Sequence, residues 1–566
     1  MVDGKSEIDN PDFFFAPNGK EDADAELNAT IEALLNENIF DDNASSCRFP
    51  ARKAWLEEKL QIKEFPKVEC KEYEATLERL APKSVTLVFP AAHINSPASM
   101  FGHTFLRINS HYNSKLLAYA INYAANADPD KENATVFALK GLFGGYHGSY
   151  SLLPYYEKLK EYRDAEQRDI WEYDLNLSER EVLQMVRHIW ELNGTYSDYY
   201  FFTKNCSYNM LWLIEIARPS VDLRSYFTFE VAPLESVHAA DEEKLIVAKN
   251  FRPSKRTLLL EYEKRIESKN IELVKKLLNT EIKSQELLLS TEISQEQKRF
   301  IYEAAVEFLE SSYSKNSMNK EEYLEHFHAL TKARASLGKG EKLHIKTPSN
   351  PLDGHQAVRA SVGYAQRDGD SLALIGIRPA YHDLEDSSVG FLRGTEIEFL
   401  DLLLSYKEDK KVAVENATLL SIVSLAQNSE FYNSLSWRAN IGWDRDSLKE
   451  HTSFQTSVGV GYSAGGEFGY FYVMLDPLMY IYDGFVGGIG GSFGFVLDKY
   501  DAVQTNFEIT KRYYDSGGEQ VLAAFTQSFR LYENLQLQIK YDYKERDVLQ
   551  KQEAEQTLGA FCNFYF

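Results

Sequence analysis

Cys206 is the residue whose neighbours point most directly to chemistry. It lies in the stretch TKNCSYNMLWLIEIA, residues 203–217, where a polar segment meets an apolar run with helical spacing. This pattern predicts that Cys206 lies at or near a helix N-terminus, where unpaired N–H groups and the helix dipole lower the pKa of a thiol. Lys204 would act in the same direction. Cys206 is therefore a candidate nucleophile, although a lone buried cysteine is more often a small apolar packing residue.

A histidine that could act as the base precedes this cysteine. The stretch INSPASMFGHTFLRI, residues 94–108, carries His103 from a polar loop to the start of an apolar strand. If that strand lies beside Cys206, the imidazole can take the thiol proton and later return it. A third group usually orients the base. Asn122, on the next predicted strand, is the first candidate and His111 the second, although polar strand residues commonly just face solvent.

Other polar residues near these two stretches could line a substrate site. The backbone N–H of Cys206, together with the side chains of Asn205 and Ser99, could hold an oxyanion. The stretch GGYHGSYSLLPYY, residues 144–156, clusters tyrosines around glycines. It is either a glycine-hinged loop with aromatic packing or an interfacial lid that admits an acyl chain. The tyrosines are Tyr146, Tyr150, Tyr155 and Tyr156.

The composition limits the partners and cofactors. The 566 residues carry a formal net charge of −23, whereas nucleic-acid binding needs clustered Lys and Arg, so we expect no nucleic-acid partner. The twelve His and four Cys form no close metal-ligand spacing, which predicts no metal and no cofactor. Cys47 and Cys70 could pair in an oxidising compartment. Two to four domains are expected at this length, and nothing in the sequence indicates an oligomeric state.

Residues 81–245 have the mixed pattern of a compact α+β domain that would position Cys206 and His103. Strands are predicted at 84–89, 103–108, 116–124 and 169–177. A helix follows from Ser178, which can form a capping box with Glu181. Two helical segments flank the domain, an N-terminal one at 1–80 and a connector at 246–350. In the connector, Ser294 and Gln297 form a second capping box.

From about residue 355 the hydrophobic period becomes two. Apolar and polar side chains alternate in NLQLQIKYDYK (534–544), FQTSVGVGY (454–462) and LSWRANIGW (435–443). Roughly ten to twelve such segments approach the ~9–11 residues of a tilted membrane strand. A soluble β-sandwich also alternates. However, one face carries Gln, Lys, Arg and Asp, which a packed soluble core would reject. Residues 351–566 are therefore predicted to form an antiparallel transmembrane β-barrel.

The last residues, GAFCNFYF, resemble the terminal aromatic strand of outer-membrane β-barrel proteins. In this interpretation Cys562 is a small lipid-facing residue without chemistry. The barrel belongs in the outer membrane and the N-terminal domain in the periplasm. A signal peptide is then expected that this sequence does not contain.

Five ordered stretches between residues 80 and 240 resemble the Lnb-type family of lipoprotein intramolecular transacylases, in its Gram-negative branch with a C-terminal barrel. They are FPAAHINSPASMFGHTFLRI, AINYAAN, KGLFGGYHGSYSLLPYYEK, QRDIWEYDLNLS and YYFFTKNCSYNMLWLIEIARP. The resemblance implies a thiol acyltransferase of permuted papain-like type, in which the histidine precedes the cysteine. Cys206 would take an acyl chain from a lipid ester as a thioester. The chain would then pass to an amine, in the family the α-amino group of a lipoprotein.

Two other functions remain open. Papain-like domains also support an amidase or peptidase acting on cell-wall peptide, and the fold does not choose between these reactions. The chain could also be a non-enzymatic barrel or channel that carries a binding domain, since the inner face of the barrel is polar. The acyltransferase interpretation predicts membrane lipids and lipoproteins as substrates.

Overall fold

The computed structural model forms two compact units, Met1–Pro90 with His103–Arg252, and Ala91–Gly102 with Pro253–Phe566. We call them the α+β unit and the barrel unit. None of the described helices is both long and apolar enough to cross a bilayer. The structure describes residues 4–61, 65–91, 102–112, 117–127, 134–227, 230–315, 317–407, 412–445, 452–481, 484–548 and 551–566.

An antiparallel sheet of seven strands is the core of the α+β unit. Its order is β6-β4-β3-β2-β1-β5-β7. The inner strand β1 is buried from Val85 to Pro90 because neighbouring strands and helices cover it. The strands are β1 Pro82–Pro90, β2 Phe105–Ser110, β3 Tyr119–Ala125, β4 Tyr146–Pro154, β5 Ile170–Leu175, β6 Ser197–Tyr199 and β7 Ile246–Arg252. The four strands predicted from the sequence are therefore present.

Nine described helices accompany this sheet. The capping box of Ser178 and Glu181 is present at the start of α7, as predicted. The helices are α1 Ala23–Leu35, α2 Ser45–Arg48, α3 Pro50–Lys59, α4 Lys71–Leu80, α5 Ala134–Phe143, α6 Tyr155–Leu159, α7 Glu179–Glu191, α8 Cys206–Ala217 and α9 Pro233–Glu242. Short helical turns lie at Pro11–Phe13, Lys160–Ala165 and Arg224–Tyr226.

The N-terminal helices pack onto the sheet domain through α7. The Glu191 carboxylate accepts the N–H groups of Ala51 and Arg52 at 2.7 and 2.8 Å, at the start of α3. The indole of Trp190 donates to the carbonyl of Cys47 at 2.8 Å. Cys47 and Cys70 form a disulfide, as considered from the sequence. These contacts join residues 4–80 and the sheet domain into one unit.

Five helices open the barrel unit, and they form their own apolar core around Ile301, Ala305 and Leu309. Ser294 caps α13 by accepting the N–H of Gln297. The reciprocal half of the expected capping box is missing, because the Gln297 side chain instead bridges Glu267 N–H and the Arg265 carbonyl. The helices are α10 Lys255–Arg265, α11 Ser268–Leu278, α12 Ser284–Leu289, α13 Gln295–Ser314 and α14 Lys320–Ser336, and a short turn follows at Pro351–Asp353.

Twelve antiparallel strands then close into a barrel, as predicted for this region. The order runs from β11 through β12 and β14–β21 to β8 and β9, and β9 pairs with β11. The twelve strands are β8 Arg359–Arg367, β9 Asp370–Arg378, β11 Thr395–Lys407, β12 Val412–Ser424, β14 Ser436–Asp444, β15 Ser453–Gly466, β16 Gly469–Ile481, β17 Phe485–Tyr500, β18 Val503–Tyr514, β19 Glu519–Tyr532, β20 Leu535–Val548 and β21 Lys551–Tyr565. Two short strands, β10 Ala380–His382 and β13 Gln427–Asn428, pair with β11 and β15 outside this ring.

The barrel exposes apolar side chains and buries polar ones. On β16, Val473 and Leu475 are each 50% exposed on the outside, whereas Asp476 faces inward. On β20, Gln538 is buried and Ile539 is exposed. An apolar outer band around a polar interior is the arrangement of a transmembrane barrel. The alternation therefore has the orientation that the sequence predicts.

A segment between β10 and β11 folds into the barrel interior. We call residues 383–388 the inward segment. The carbonyl of Leu384 accepts the side-chain amides of Gln504 and Asn506, and the carbonyl of Glu385 accepts those of Gln536 and Gln538. Since these amides belong to inward-facing positions of β18 and β20, the segment fills part of the lumen. A polar cavity of about 570 Å³ remains beside it.

Candidate active site

Cys206 is the first residue of α8, so its predicted place at a helix N-terminus is confirmed. The Asn205 side chain caps this helix by accepting the N–H of Tyr208 at 3.2 Å. The helix packs against β2 and β3, which brings its first turn to the strands that follow His103. Cys206 is 5% exposed and is not part of a disulfide.

His103 lies just before β2 and links Cys206 to Asn122. The thiol and the imidazole lie close enough for each to shift the pKa of the other. On its other side, His103 Nε2 lies 3.0 Å from the Oδ1 of Asn122, on β3. Nε2–H therefore donates to the amide oxygen, and Nδ1 is left for the sulfur. The structure thus brings together the three residues that the sequence proposed as nucleophile, base and orienting group.

The electrostatics of this group favour charge separation. Burial raises the pKa of the Cys206 thiol, but the adjacent His103 outweighs burial and brings that pKa down to about 7. Burial also opposes a charge on His103, yet its pKa is raised by Cys206 and by the hydrogen bond to Asn122. Each charge therefore stabilises the other, as in a thiolate–imidazolium pair.

Further donors surround the sulfur, and sequence reasoning missed them. The backbone N–H of Thr104 helps to lower the pKa of the thiol. The hydroxyl of Ser207 lies 3.8 Å from the sulfur and accepts the hydroxyl of Thr104 at 2.7 Å. Thr104 directly follows His103, and Ser207 directly follows Cys206. This adjacency in the sequence could have identified both residues.

Tyr199 also contacts Cys206, in addition to His103, Thr104 and Ser207. Its hydroxyl oxygen accepts the backbone N–H of Cys206 at 3.3 Å, and its ring stacks on Tyr123. The N–H that was expected to hold an oxyanion is therefore already engaged. Tyr199 belongs to the three-residue strand β6, whose position depends on pairing with β4 rather than on a local pattern.

Several residues proposed from the sequence have other contacts. The Asn205 amide donates to the carbonyls of Phe201 and Val231, so these bonds and the helix cap stabilise the loop rather than an oxyanion. Lys204 pairs with Glu7 at 3.8 Å. His111 lies 3.6 Å from Glu179, whereas Asn122 contacts His103. Ser99 lies outside the described residues.

The tyrosine-rich stretch is not a lid in its described form. Its residues 146–154 form β4, an inner strand that pairs with β3 and β6. Tyr146 packs on Phe137 and Phe201. Tyr155 is fully buried and donates to Glu172 at 2.6 Å. Both tyrosines belong to the interior of the unit because the sheet continues through this stretch.

Comparison with protein families matches four regions of the chain. Residues 72–242 match the model of the Lnb N-terminal periplasmic domain. Three other models describe domains of unknown function, at residues 2–59, 249–344 and 348–561. None of the curated proteins matches the chain. The region with the Cys206 site is therefore the one with a named family.

Solved structures similar to the chain include outer-membrane porins and channels. The KdgM porin is 9% identical, with a TM-score of 0.24, and the match covers 37% of this chain and 99% of the porin chain. The NanC porin is 9% identical, with a TM-score of 0.26, over 37% of this chain and 100% of its own. An outer membrane channel from Pseudomonas putida F1 is 11% identical, with a TM-score of 0.26, over 40% of this chain and 100% of its own.

The family match and the barrel together establish the location. A closed barrel with an apolar outer face and a polar interior lies in the outer membrane. The model that matches residues 72–242 is that of a periplasmic domain. The chain is therefore an outer-membrane protein, and its residues 72–242 match the model of a periplasmic domain.

Proposed function

We propose that the α+β unit is a thiol acyltransferase, or a closely related acyl hydrolase, of papain-like type. Cys206 is the nucleophile, His103 the base and Asn122 the group that orients the imidazole. The observation that carries the proposal is the continuous chain from the Cys206 sulfur through His103 to Asn122 at the start of α8. Nucleophile, base and orienting group in this order are the parts of a thiol acyl-transfer site.

The reaction proceeds in two acyl transfers. The Cys206 thiolate attacks the carbonyl carbon of an ester, and the departing alkoxide takes a proton from the His103 imidazolium. This step leaves a thioester on Cys206 and a neutral imidazole. An amine or water then attacks the thioester carbonyl and gives a proton to His103, while the sulfur leaves as a thiolate. The starting thiolate–imidazolium pair is thereby restored.

Tyr199 is the side chain we place beside the developing oxyanion. Its O–H can donate to that oxygen in the substrate complex, because it already lies at the N–H of Cys206. The Asn122 amide keeps the imidazole in one orientation throughout. Preorganised donors of this kind contribute without rearranging during the reaction.

Location supports a lipid ester as the acyl donor. The barrel holds the chain in the outer membrane, whose periplasmic leaflet presents the esters of phospholipids and lipoproteins. The match of residues 72–242 to the Lnb N-terminal periplasmic domain favours lipoproteins over other esters. The acceptor is then the amine of a lipoprotein.

Intact-protein mass spectrometry tests the proposal. The purified full chain in detergent is incubated with a diacylglyceryl lipopeptide, beside the Cys206→Ala and Cys562→Ala variants. We expect one added acyl chain on the wild type and on Cys562→Ala, whose thiol lies on the lipid-facing side of the barrel, and none on Cys206→Ala. Analysis of the released lipopeptide separates transfer from hydrolysis. Full activity of Cys206→Ala would overturn the proposal, and cleavage of cell-wall fragments without action on lipid esters would replace it.

A further inference from the structure

The barrel unit contains a second cluster of reactive side chains, far along the sequence from Cys206. His355 precedes β8, His382 ends β10 and Asp386 lies in the inward segment. All three are buried, at 2%, 4% and 0% exposure. We infer that His355, His382 and Asp386 form a binding site for a divalent transition-metal ion, for which zinc is the best match.

The distances among the three ligand atoms support this inference. His355 Nε2 lies 3.1 Å from His382 Nδ1 and 3.6 Å from Asp386 Oδ2, and the last two atoms are 3.9 Å apart. A point equidistant from three atoms with these separations lies about 2.1 Å from each. This value falls within the ~2.0–2.2 Å bond lengths of zinc to imidazole nitrogen and carboxylate oxygen. The spacing of the three atoms therefore suits one ion bound between them.

The hydrogen bonds around the cluster orient its ligand atoms. His355 Nδ1 lies 2.7 Å from the carbonyl of Gln356, so Nδ1 carries the proton and Nε2 presents a lone pair. Metal-binding histidines commonly donate their other ring N–H to a carbonyl in this way. The hydroxyl of Tyr565 donates to Asp386 Oδ1 at 2.6 Å, which turns Oδ2 toward the histidines. Asp386 Oδ2 also accepts Arg378 at 2.6 Å and the backbone N–H of Asp383 at 3.2 Å, and a bound ion would replace the longer of these two bonds.

The charges nearby fit a divalent cation. Arg359 and Arg378 are the guanidinium groups of this network, and both are buried. Four carboxylates lie within ion-pair distance of one or both. Acidic groups therefore outnumber the guanidinium groups around the cluster, and a divalent ion would offset part of this excess. The carboxylates are Asp383, Asp386, Glu398 and Asp401.

The surroundings favour a structural rather than a catalytic ion. The ring of Phe391 lies 4.1 Å from that of His382 and 4.5 Å from that of His355, and Tyr565 covers His355 at 4.2 Å. These rings exclude water from one side of the cluster. Zinc tolerates such a site because it accepts nitrogen and oxygen ligands without a geometric preference from its d-electrons. Bound there, it would join the inward segment to the start of β8 and the end of β10.

Metal analysis of the full chain in detergent tests the site. The Cys206→Ala variant serves as the background, so that the thiol of the α+β unit cannot bind the probe. After treatment with EDTA, the protein is equilibrated with Zn²⁺, dialysed and analysed by mass spectrometry of its metal content. We expect about one zinc ion per chain. Adding His382→Gln should lower the zinc content per chain at least about tenfold. Adding His328→Gln, which replaces an exposed histidine on a helix, should leave the zinc content unchanged.

Two further measurements keep the result decisive. Migration of unheated samples in SDS gels reports whether each variant forms a barrel. If His382→Gln does not fold, X-ray absorption at the zinc edge of the background protein decides, with two imidazoles and a carboxylate expected and no sulfur. A folded background protein with less than about a tenth of a zinc ion per chain, or zinc bound without imidazole ligands, would overturn the inference.

Discussion

The α+β unit and the barrel unit bury opposite kinds of side chain. In the first, the inner strand β1 buries Val85, Leu87 and Val88, and buried apolar residues outnumber buried polar ones. In the second, strand β16 exposes Leu475 and turns Asp476 toward the interior. A buried polar cluster is therefore a stronger indication of a site in the α+β unit than in the barrel. In the barrel such clusters are ordinary, and a site is distinguished by the geometry of its atoms.

The largest expected effect tests whether chemistry is confined to the α+β unit. Cys206→Ala should lower acyl transfer by about 10³-fold or more, since loss of a nucleophile removes the covalent route. Cys562→Ala should leave the rate unchanged, because this cysteine lies on the outer face of the last strand. Rates with a fluorescent acyl ester measure both. Equal losses in the two variants would contradict the assignment.

A buried ion pair shows how much the α+β unit depends on its few interior charges. Arg107 is 1% exposed and lies 2.8 Å from Glu172, which also accepts Tyr155. Glu172→Gln leaves the guanidinium with only the more distant carboxylate of Asp174, at 3.8 Å, and should cost about 3 kcal/mol in the free energy of unfolding. The more exposed pair of Glu181 and Arg218 provides the control, with ~1 kcal/mol or less for Glu181→Gln.

The same pair predicts a dependence of stability on pH. Burial raises the pKa of Glu172, but Arg107 and Tyr155 outweigh burial and lower that pKa to about 2. A lowered carboxyl pKa contributes stability above the unfolded value of about 4.3, and this contribution is lost as pH falls toward 2. Guanidinium unfolding followed by tryptophan fluorescence should show this loss in the wild type. The Glu172→Gln variant should not show this loss of stability at low pH. Identical pH profiles for the variant and the wild type would contradict the prediction.

Adjacent substitutions on β15 compare the two faces of the barrel directly. Val458 is 58% exposed on the lipid face, whereas Ser457 lines the internal cavity. Val458→Lys should cost about 2–4 kcal/mol, since a charge would enter the lipid. Ser457→Lys places the same charge in a polar cavity and should cost far less. Urea unfolding of the folded barrel in lipid vesicles measures both, and equal costs would show that β15 is not lipid-facing.

The smallest effect concerns the ionisation of Cys206. With the thiol pKa near 7, alkylation by iodoacetamide should reach half its maximal rate near pH 7. His103→Ala removes the charge that counteracts burial, so the midpoint should move above the ordinary thiol value of ~8.5. A Cys562→Ala background leaves Cys206 as the free thiol. A midpoint that stays near pH 7 without His103 would show that another group activates the cysteine.

The sequence predicts more of the barrel than of the site. A period of two assigns Gln538 and Ile539 to opposite faces, because neighbouring strands pair through short connections. It does not predict the inward segment, since Leu384 and Glu385 meet partners more than a hundred residues away. The cluster of His355, His382 and Asp386 was missed for the same reason, because its ligands come from separate elements.

In the α+β unit, local sequence patterns identified the residues whose position follows from the secondary structure around them. Cys206 was located by the change from polar to helical sequence. Asn122 followed from the strand order, although its place beside His103 needed the structure. Tyr155 and Tyr199 look alike in sequence, yet one contacts a buried carboxylate and the other the nucleophile. Side-chain type could not separate them, because the difference comes from which strands pair.

The disulfide between Cys47 and Cys70 has a consequence for biogenesis. These are the first two cysteines in chain order, and Cys206 is the third. A chain exported N-terminus first presents them to oxidising enzymes before Cys206 emerges, so consecutive pairing leaves the third thiol reduced. Once α8 packs, Cys206 is nearly inaccessible to those enzymes. Export order and burial together keep the Cys206 thiol reduced in a compartment that otherwise oxidises cysteines.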